Sequence, residues 1–493
     1  MGLEKDLRLI SVNIGNFIMK WLSDKSGFEC RSFYGEAFSL SLLEGLEILD
    51  DATRMKLVNS YIKLDKEDSQ FHWEFNNYAL LNYLNMKNDK EIYDFIYPLK
   101  FKHTPVTNWT LLRSNARLLA KQDENKAISE ALSKVNNFQL DSGLILDQKQ
   151  DESFQYHCFS IAMIGEIYEL TNREEFYKSF ISGVNFIRNF ILSTGDTTYI
   201  GRGQKQSFGY GALIYILTLA YKFTEDNSLL NDIKKVKNLL VRHQHTDGSF
   251  PLVLNGIEQP IPKKVNIEDP SYVGWYPYNN YFDYLPFMGY FVLKASNVLH
   301  SLNLDKSTHD EKVSYSDKNF IVEKKSKYEA VVSKTGGYWT NDMPIPYIIS
   351  DGKSITPCYG GEQFQKSLFS VKGLPLPYCH SLKKSIRWRG VSFLKNDTLT
   401  ILSPLGIMKR MFIFNENSIV IKTKIYSPFK FIHVYLFKKQ IKQILPGKLT
   451  INNVEITSKN TLVPNKIEYS TDGELQLFED MGKESIIQFD FNN

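Results

Sequence analysis

Residues 33–49 read FYGEAFSLSLLEGLEIL. Phe38, Leu42 and Leu46 fall four apart, with Ala37 and Leu43 beside them, which is the spacing of one helix face and not the alternation of a strand. The same period returns at 76–84, 111–121, 159–170, 176–192, 210–223, 229–243 and 281–299. Each of these segments reads as an amphipathic or buried helix. Gly, Asn, Asp and Pro punctuate the intervals, as at Ser193-Thr194-Gly195-Asp196 and Asp247-Gly248. Many helices joined by connections that alternate short and long imply helical hairpins in a ring. The expected fold of residues 1–300 is therefore an (α/α) toroid, complete or incomplete.

Beyond a polar linker at 301–316 the period changes to two. Segments 319–332, 391–402, 407–414, 418–426, 429–436, 449–457 and 475–491 read as strands. Repeated short strands without long helices make an antiparallel β-sandwich the economical reading of residues 317–493. Lys recurs at alternate positions, as on a solvated sheet face. A chain of 493 residues is long enough for two such cores.

Composition narrows the function. The formal charge is +4, with no long basic cluster interleaved with aromatics, so no nucleic acid partner is expected. No apolar run approaches the ~20 residues of a membrane span. The N-terminus MGLEKDLRLISVNIGNF has no apolar core or small-residue cleavage site. As written, the chain reads as cytoplasmic, or as periplasmic or extracellular if an export signal has been removed. The cysteines Cys30, Cys158, Cys358 and Cys379 lie far apart, with neither metal-ligand spacing nor the density of a disulfide framework. No metal and no cofactor is expected. Aromatics reach 14%, with 28 Tyr and 33 Phe, a composition that suits stacking on sugar rings as well as core packing.

Four segments carry the candidate chemistry. Thr107-Asn108-Trp109 opens a helix; Asn108 offers an amide and Trp109 a stacking platform, although a cap and a buried indole would use the same residues. Asp151-Glu152-Ser153-Phe154-Gln155-Tyr156-His157 places titratable and aromatic groups at another helix start, where the dipole favours anions and a neutral imidazole. Residues 199–211, YIGRGQKQSFGYG, bring flexible glycines, Arg202, Lys205, Gln204 and Gln206 to a third start. They lack phosphate-loop spacing. Residues 275–284, WYPYNNYFDY, are rich enough in aromatics to line a sugar cleft or to plug a core.

These segments resemble known enzymes. The turn 243–250, HQHTDGSF, resembles the turn that ends helices in (α/α) barrels such as terpenoid cyclases and several carbohydrate enzymes. Toroid followed by sandwich, with D-E-S-F-Q-Y-H similar to the D-G-S-F/Y…H segment and G-R-G-Q-K-Q similar to G-R-x-x-x-R, resembles the polysaccharide lyases of the heparinase II/III, alginate lyase and hyaluronate lyase groups. The resemblance implies His157 and Arg202 as active-site residues, and Asn108 as the amide that neutralises a uronate carboxylate. The hyaluronate lyase tyrosine nine residues after the histidine is Glu166 here, so Tyr156 or Tyr210 would supply the phenol. The second arginine is Gln206.

The resemblance implies metal-independent β-elimination on a uronic-acid polysaccharide. The expected catalytic set is His157, Tyr210, Arg202 and Asn108; the residues expected around an acidic oligo- or polysaccharide are Trp109, Tyr156, Gln204, Gln206, Trp275 and Tyr278. Three rivals stand beside it. A glycoside hydrolase would draw a carboxylate pair from Asp151, Glu152, Asp247, Asp269 and Asp283. A uronyl C5-epimerase would share the proton abstraction. A non-catalytic glycan-binding protein of a surface-polysaccharide pathway would need neither.

Overall fold

The computed structural model describes residues 2–23, 27–28, 32–62, 71–254, 274–276, 278–302, 314–334, 343–358, 376–381, 384–388, 390–445 and 447–491. Asp269, Cys30 and most of the expected linker lie outside them. Among the described residues, twelve helices precede eighteen strands.

Six helices form an inner ring: α2 (Gly35–Gly45), α4 (Trp73–Met86), α6 (Thr107–Leu119), α8 (Phe154–Thr171), α10 (Ser207–Thr224) and α12 (Tyr281–His300). Each packs on the next, and α12 packs back on α2, so the toroid is complete. The remaining helices lie outside: α1 (Leu3–Trp21) on α12, α3 (Asp51–Ile62) on α2, α5 (Lys90–Ile96) on α4, α7 (Glu124–Phe138) on α6, α9 (Glu174–Arg188) on α8, and α11 (Ser228–His243) on α10. Sequence and position agree. Residues 154–167 of α8 and 207–221 of α10 are buried on every side, because an inner helix faces both the ring interior and the outer layer. In α11 only Leu229, Leu230, Ile233, Val236, Leu239 and Leu240 are buried, a single stripe with solvent opposite. No helix among the described residues is long and apolar enough to cross a membrane.

The β region joins the toroid through a five-stranded antiparallel sheet, including β2 (Phe320–Lys324), β3 (Glu329–Ser333) and β4 (Met343–Ser350). Both its faces are covered. Phe320, Val322, Val331 and Tyr347 enter the helical core, while Ile321, Ala330, Val332 and Ile348 enter the core of the sandwich. Over it lies an eight-stranded sheet that runs from β13 (Ile441–Leu445) at one edge, through β14 (Lys448–Ile451), β15 (Val454–Ser458), β18 (Glu484–Phe491), β11 (Ser418–Tyr426), β10 (Gly406–Phe414) and β9 (Thr398–Ser403), to β8 (Val391–Lys395) at the other.

Four segments expected as single strands hold two strands each. Residues 319–332 break into the hairpin β2–β3, 391–402 into β8–β9 and 449–457 into β14–β15, while 475–491 fall in β17 (Gly473–Asp480) and β18, which belong to different sheets. At the second break Asn396 and Asp397 have φ of 48° and 54°, the left-handed pair that a tight two-residue hairpin turn requires. The expected helix at 33–49 is shorter, ending at Gly45, and that at 176–192 ends at Arg188.

Candidate active site

The inner helices all begin at one end of the ring, and a cavity of about 260 Å³ opens there. Its wall is built from those beginnings: Tyr34 before α2, His72 and Phe75 at the start of α4, Asn108 and Trp109 in the first turn of α6, Tyr156 and Phe159 in α8, Arg202 and Phe208 around the start of α10, and Tyr278 and Tyr284 at α12. Helix N-termini present unbonded N–H groups and partial positive charge, so this end of the toroid favours an anion.

Arg202 is the fixed cation. Its guanidinium carbon stands 4.2 Å from the ring centroid of Tyr156, and its Nη2 is 2.8 Å from Oδ2 of the buried Asp147. Asp147 also ties down the neighbouring wall, because the Thr107 N–H donates to its carbonyl at 3.0 Å. Burial raises the Asp147 pKa, while Arg202 and the Asn108 N–H pull it back. The loop that holds Arg202 needs two glycines. Gly201 and Gly203 have φ of 88° and 73°, and a Cβ on them would lie 2.4 Å from Ser153 Cα and 1.8 Å from Gln155 Nε2.

Around the guanidinium stand groups with spare hydrogen-bonding capacity. Asn108 is buried, and its Oδ1 has no partner among the described residues. Such an orphan is uncommon in a finished core and marks a place where a ligand could complete the set. His72 Nδ1 is likewise buried without a partner among the described residues. Burial first, and then Lys102, lower the His72 pKa to about 3, so the ring is neutral. It stacks on Phe33 and Tyr34 at 5.1 and 5.6 Å and meets Trp109 edge-on at 4.9 Å. Burial raises the Tyr156 pKa; Arg202 opposes that rise, as does a hydrogen bond with Tyr278. Tyr278, 39% exposed, forms the rim.

No protein-family model and no curated protein sequence matches the chain. Among solved structures, a heparinase III superposes with a TM-score of 0.51 at 10% identity, covering 92% of this chain and 77% of that one. A chondroitinase AC lyase gives 0.52 at 9% identity, covering 100% of this chain and 83% of that one. The fold is polysaccharide-lyase-like. At such identity the likeness is one of fold, and the site has to be read from its own geometry.

Within this lyase-like fold, Asn108, Trp109, Tyr156, Arg202 and Tyr278 share the cavity, and five other expected residues do not. His157 lies away from the cavity. Its ring is fully buried against α9, where Nδ1 accepts from the Ile145 N–H at 3.0 Å and Nε2 meets the Gly183 carbonyl at 3.0 Å. Both ring nitrogens are engaged there, the arrangement of a histidine that braces the core.

Tyr210 also lies elsewhere. It is fully buried and donates to Asp196 Oδ1 at 2.6 Å, away from the cavity wall. Gln204 turns toward the β region, accepting from Thr471 Oγ1 at 3.2 Å. Gln206 braces the rim, its Nε2 donating to the Gly274 carbonyl and to Asn279 Oδ1 at 2.9 and 2.7 Å. Trp275 is 1% exposed and stacks on Tyr281, a plug and not a platform.

Sequence reasoning did not single out Tyr34, His72, Tyr284 or Asp147 as site residues, although Tyr284 closes the segment 275–284 that it did name. The first three were findable, because each sits within four residues of a helix start, as did the segments that were singled out. Asp147 carried no signal.

Proposed function

We propose that the cavity binds an acidic sugar and breaks its chain by β-elimination at a uronate. The observation that supports this is the ring of six helix beginnings around Arg202, a partnerless Asn108 amide, Tyr156 and a neutral His72. The Asn108 Nδ2 donor and the helix-end N–H groups would meet the carboxylate and reduce its charge, making the C5 proton more acidic, while Asn108 Oδ1 would accept from a sugar hydroxyl. As that proton leaves, C5 becomes enolate-like, and fixed donors and the Arg202 cation stabilise the developing charge. The C4–O bond then breaks, its electrons leave with oxygen, and a C4=C5 double bond forms.

Tyr156 suits the proton donor to that oxygen. Burial keeps it protonated, and Arg202 at 4.2 Å lowers the cost of the phenolate it becomes. The C5 proton would pass to His72, whose Nδ1 has no partner among the described residues; burial makes the ring a weak base, so the entering uronate carboxylate would have to raise its pKa for it to accept. Trp109, Phe75, Phe208 and Phe287 supply apolar surface for sugar C–H faces. A hydrolytic pair of carboxylates finds less support, since no Asp or Glu is among the described residues lining the cavity. Of the candidates for it, Asp283 Oδ1 is occupied by Ser32 and the N–H groups of Phe33, Tyr34 and Gly35. Asp247 is held by Ser249.

The test is a panel of uronate polymers (alginate, hyaluronan, chondroitin, heparan sulfate and pectate) followed in the ultraviolet. Elimination creates a conjugated unsaturated uronate that absorbs. New reducing ends without absorbance would replace elimination with hydrolysis. Solvent deuterium incorporated without cleavage would replace it with epimerisation.

A further inference from the structure

The eight-stranded sheet buries one face on the sandwich core, and its other face toward the β8 edge is unlike an ordinary solvated sheet. Val391, Leu402, Ile407 and Tyr426 stand directly opposite one another across β8, β9, β10 and β11. They are 64%, 43%, 39% and 50% exposed, an unbroken apolar row across four strands. Two residues along, the next row carries Phe393, Lys409 and Lys424; the row after it carries Lys395, Met411 and Lys422. Side chains at this parity share one face, with cross-strand neighbours about 5 Å apart.

The charges are one-sided. Across β8 to β11 these rows hold four lysines and no acid, and the carboxylate that borders them is Glu484 of β18. Lys409 and Lys424 are direct cross-strand partners, a like-charge pairing that costs stability when nothing sits between the two. Among the described residues, none of the four makes an ion pair. Glu484, opposite Lys424 on the next strand, is engaged by Lys459 at 3.4 Å. Lys424 instead lies 5.3 Å from the ring centroid of Tyr426.

We infer that this face is a second glycan-binding surface, taking an acidic polysaccharide whose anions bridge the lysines while its sugar rings lie on Tyr426 and Phe393. A second copy of the chain fits less well, because a two-fold contact would set the same lysines against each other. Nucleic acid fits less well, since the face offers four cations, no arginine and mostly aliphatic contact. The choice of a uronate polymer over other polyanions rests on the reading of the cleft; the existence of the anion-binding face does not.

The experiment is affinity electrophoresis of the full chain in gels containing hyaluronan, chondroitin sulfate or a neutral glucan, with a single-stranded oligonucleotide as competitor. An Asn108→Ala/Arg202→Ala variant run alongside removes the contribution of the cleft. Retardation by the acidic polymers alone is expected, persisting in the cleft variant. Lys409→Glu/Lys424→Glu should weaken it at least tenfold and Phe393→Ser/Tyr426→Ser severalfold, whereas the charge-matched Lys126→Glu/Lys178→Glu on the outer helices should change it less than twofold. Equal weakening by both lysine pairs would reduce the effect to net charge and overturn the site. A concentration-dependent dimer abolished by Lys409→Glu/Lys424→Glu would assign the face to self-association. Tighter retention by the oligonucleotide would assign it to nucleic acid. Turnover found without retardation leaves the cleft reading standing and removes this one; retardation without turnover does the reverse.

Discussion

One loop, residues 201–206, feeds two polar clusters of opposite character. Arg202 enters the cavity, where Asn108 Oδ1 and His72 Nδ1 have no partners among the described residues. Three residues on, Lys205 enters the junction between toroid and β region and is surrounded. Its Nζ lies 2.6 Å from Asp472 Oδ1 and 3.0 Å from both Asp196 Oδ2 and the Tyr347 hydroxyl. Tyr210 and Tyr347 donate to the two oxygens of Asp196, and the Cys358 N–H donates to Asp472 Oδ2 at 2.7 Å. Burial alone would raise the Asp472 pKa, but Lys205 and Lys438 hold it at about 2. Saturated and sealed, the junction fixes the loop; unsaturated and open on one side, the cleft can use what the junction holds in place. The difference separates a stability site from a reactive one better than residue type does, since both contain a cation, phenols and a buried carboxylate.

The harshest way to break this contrast is Lys205→Met. It would leave Asp196 and Asp472 facing each other in a dry junction, and loss of one partner from a buried pair costs about 3–5 kcal/mol. Urea denaturation should show that loss. Lys205→Met/Asp472→Leu, which removes one charge of each sign, should recover part of it. If Lys205→Met unfolds at the same urea concentration as the parent, the junction is not what holds the loop.

The cleft should respond in the opposite sense. Asn108→Ala removes a group that satisfies little in the resting protein, so stability should stay within about 1 kcal/mol while turnover on a responsive polymer falls about 10²–10³-fold, the usual cost of removing a transition-state donor. Arg202→Met should lose at least as much turnover, and it should also cost stability because it leaves the buried Asp147 carboxylate without its cation. Tyr156→Phe should behave as Asn108→Ala does, and its loss should appear in kcat more than in KM. An Asn108 or Tyr156 variant that loses both fold and activity would merge the two clusters into one structural network.

Much of this organisation was legible in the sequence. Inner and outer helices announce themselves by all-round against one-sided apolar patterns, and period two marks the sandwich. Closure of the ring was not legible, because it depends on α12 meeting α2 across more than two hundred intervening residues. The loops of the site were found, since Gly, aromatic and amide residues gather where inner helices begin. Which side chain faces the cavity was not, because consecutive helix positions differ by about 100°. Tyr156 and Phe159 line the cavity, and Glu166 on the same helix bonds inward to Tyr78 and Asn115. His157 and Ile161 face the outer layer, where an added Cβ on Gly183 would strike Ile161 at 2.2 Å. Following that phase along α8 would have separated Tyr156 from His157 without coordinates.

His157 therefore supplies the mildest test. A catalytic histidine would lose activity on substitution with the fold intact; here the reverse is expected. His157→Ala should cost about 1–3 kcal/mol, since the Ile145 N–H loses its buried acceptor, while turnover per folded molecule is retained. The pH dependence carries a smaller, separate signature. Burial lowers the His157 pKa to about 4, against about 6.5 in the unfolded chain. Between those values the unfolded state binds the extra proton, so stability falls as pH drops from about 6.5 toward 4, by at most about 1.4 kcal/mol per pH unit from this one group. His433, also buried and lowered to about 4, adds to the same slope. Urea midpoints at several pH values should show His157→Gln with a shallower acid slope than the parent by up to one proton. An unchanged slope would mean that the ring titrates normally and is not sealed, which would return His157 to the cavity side of the helix.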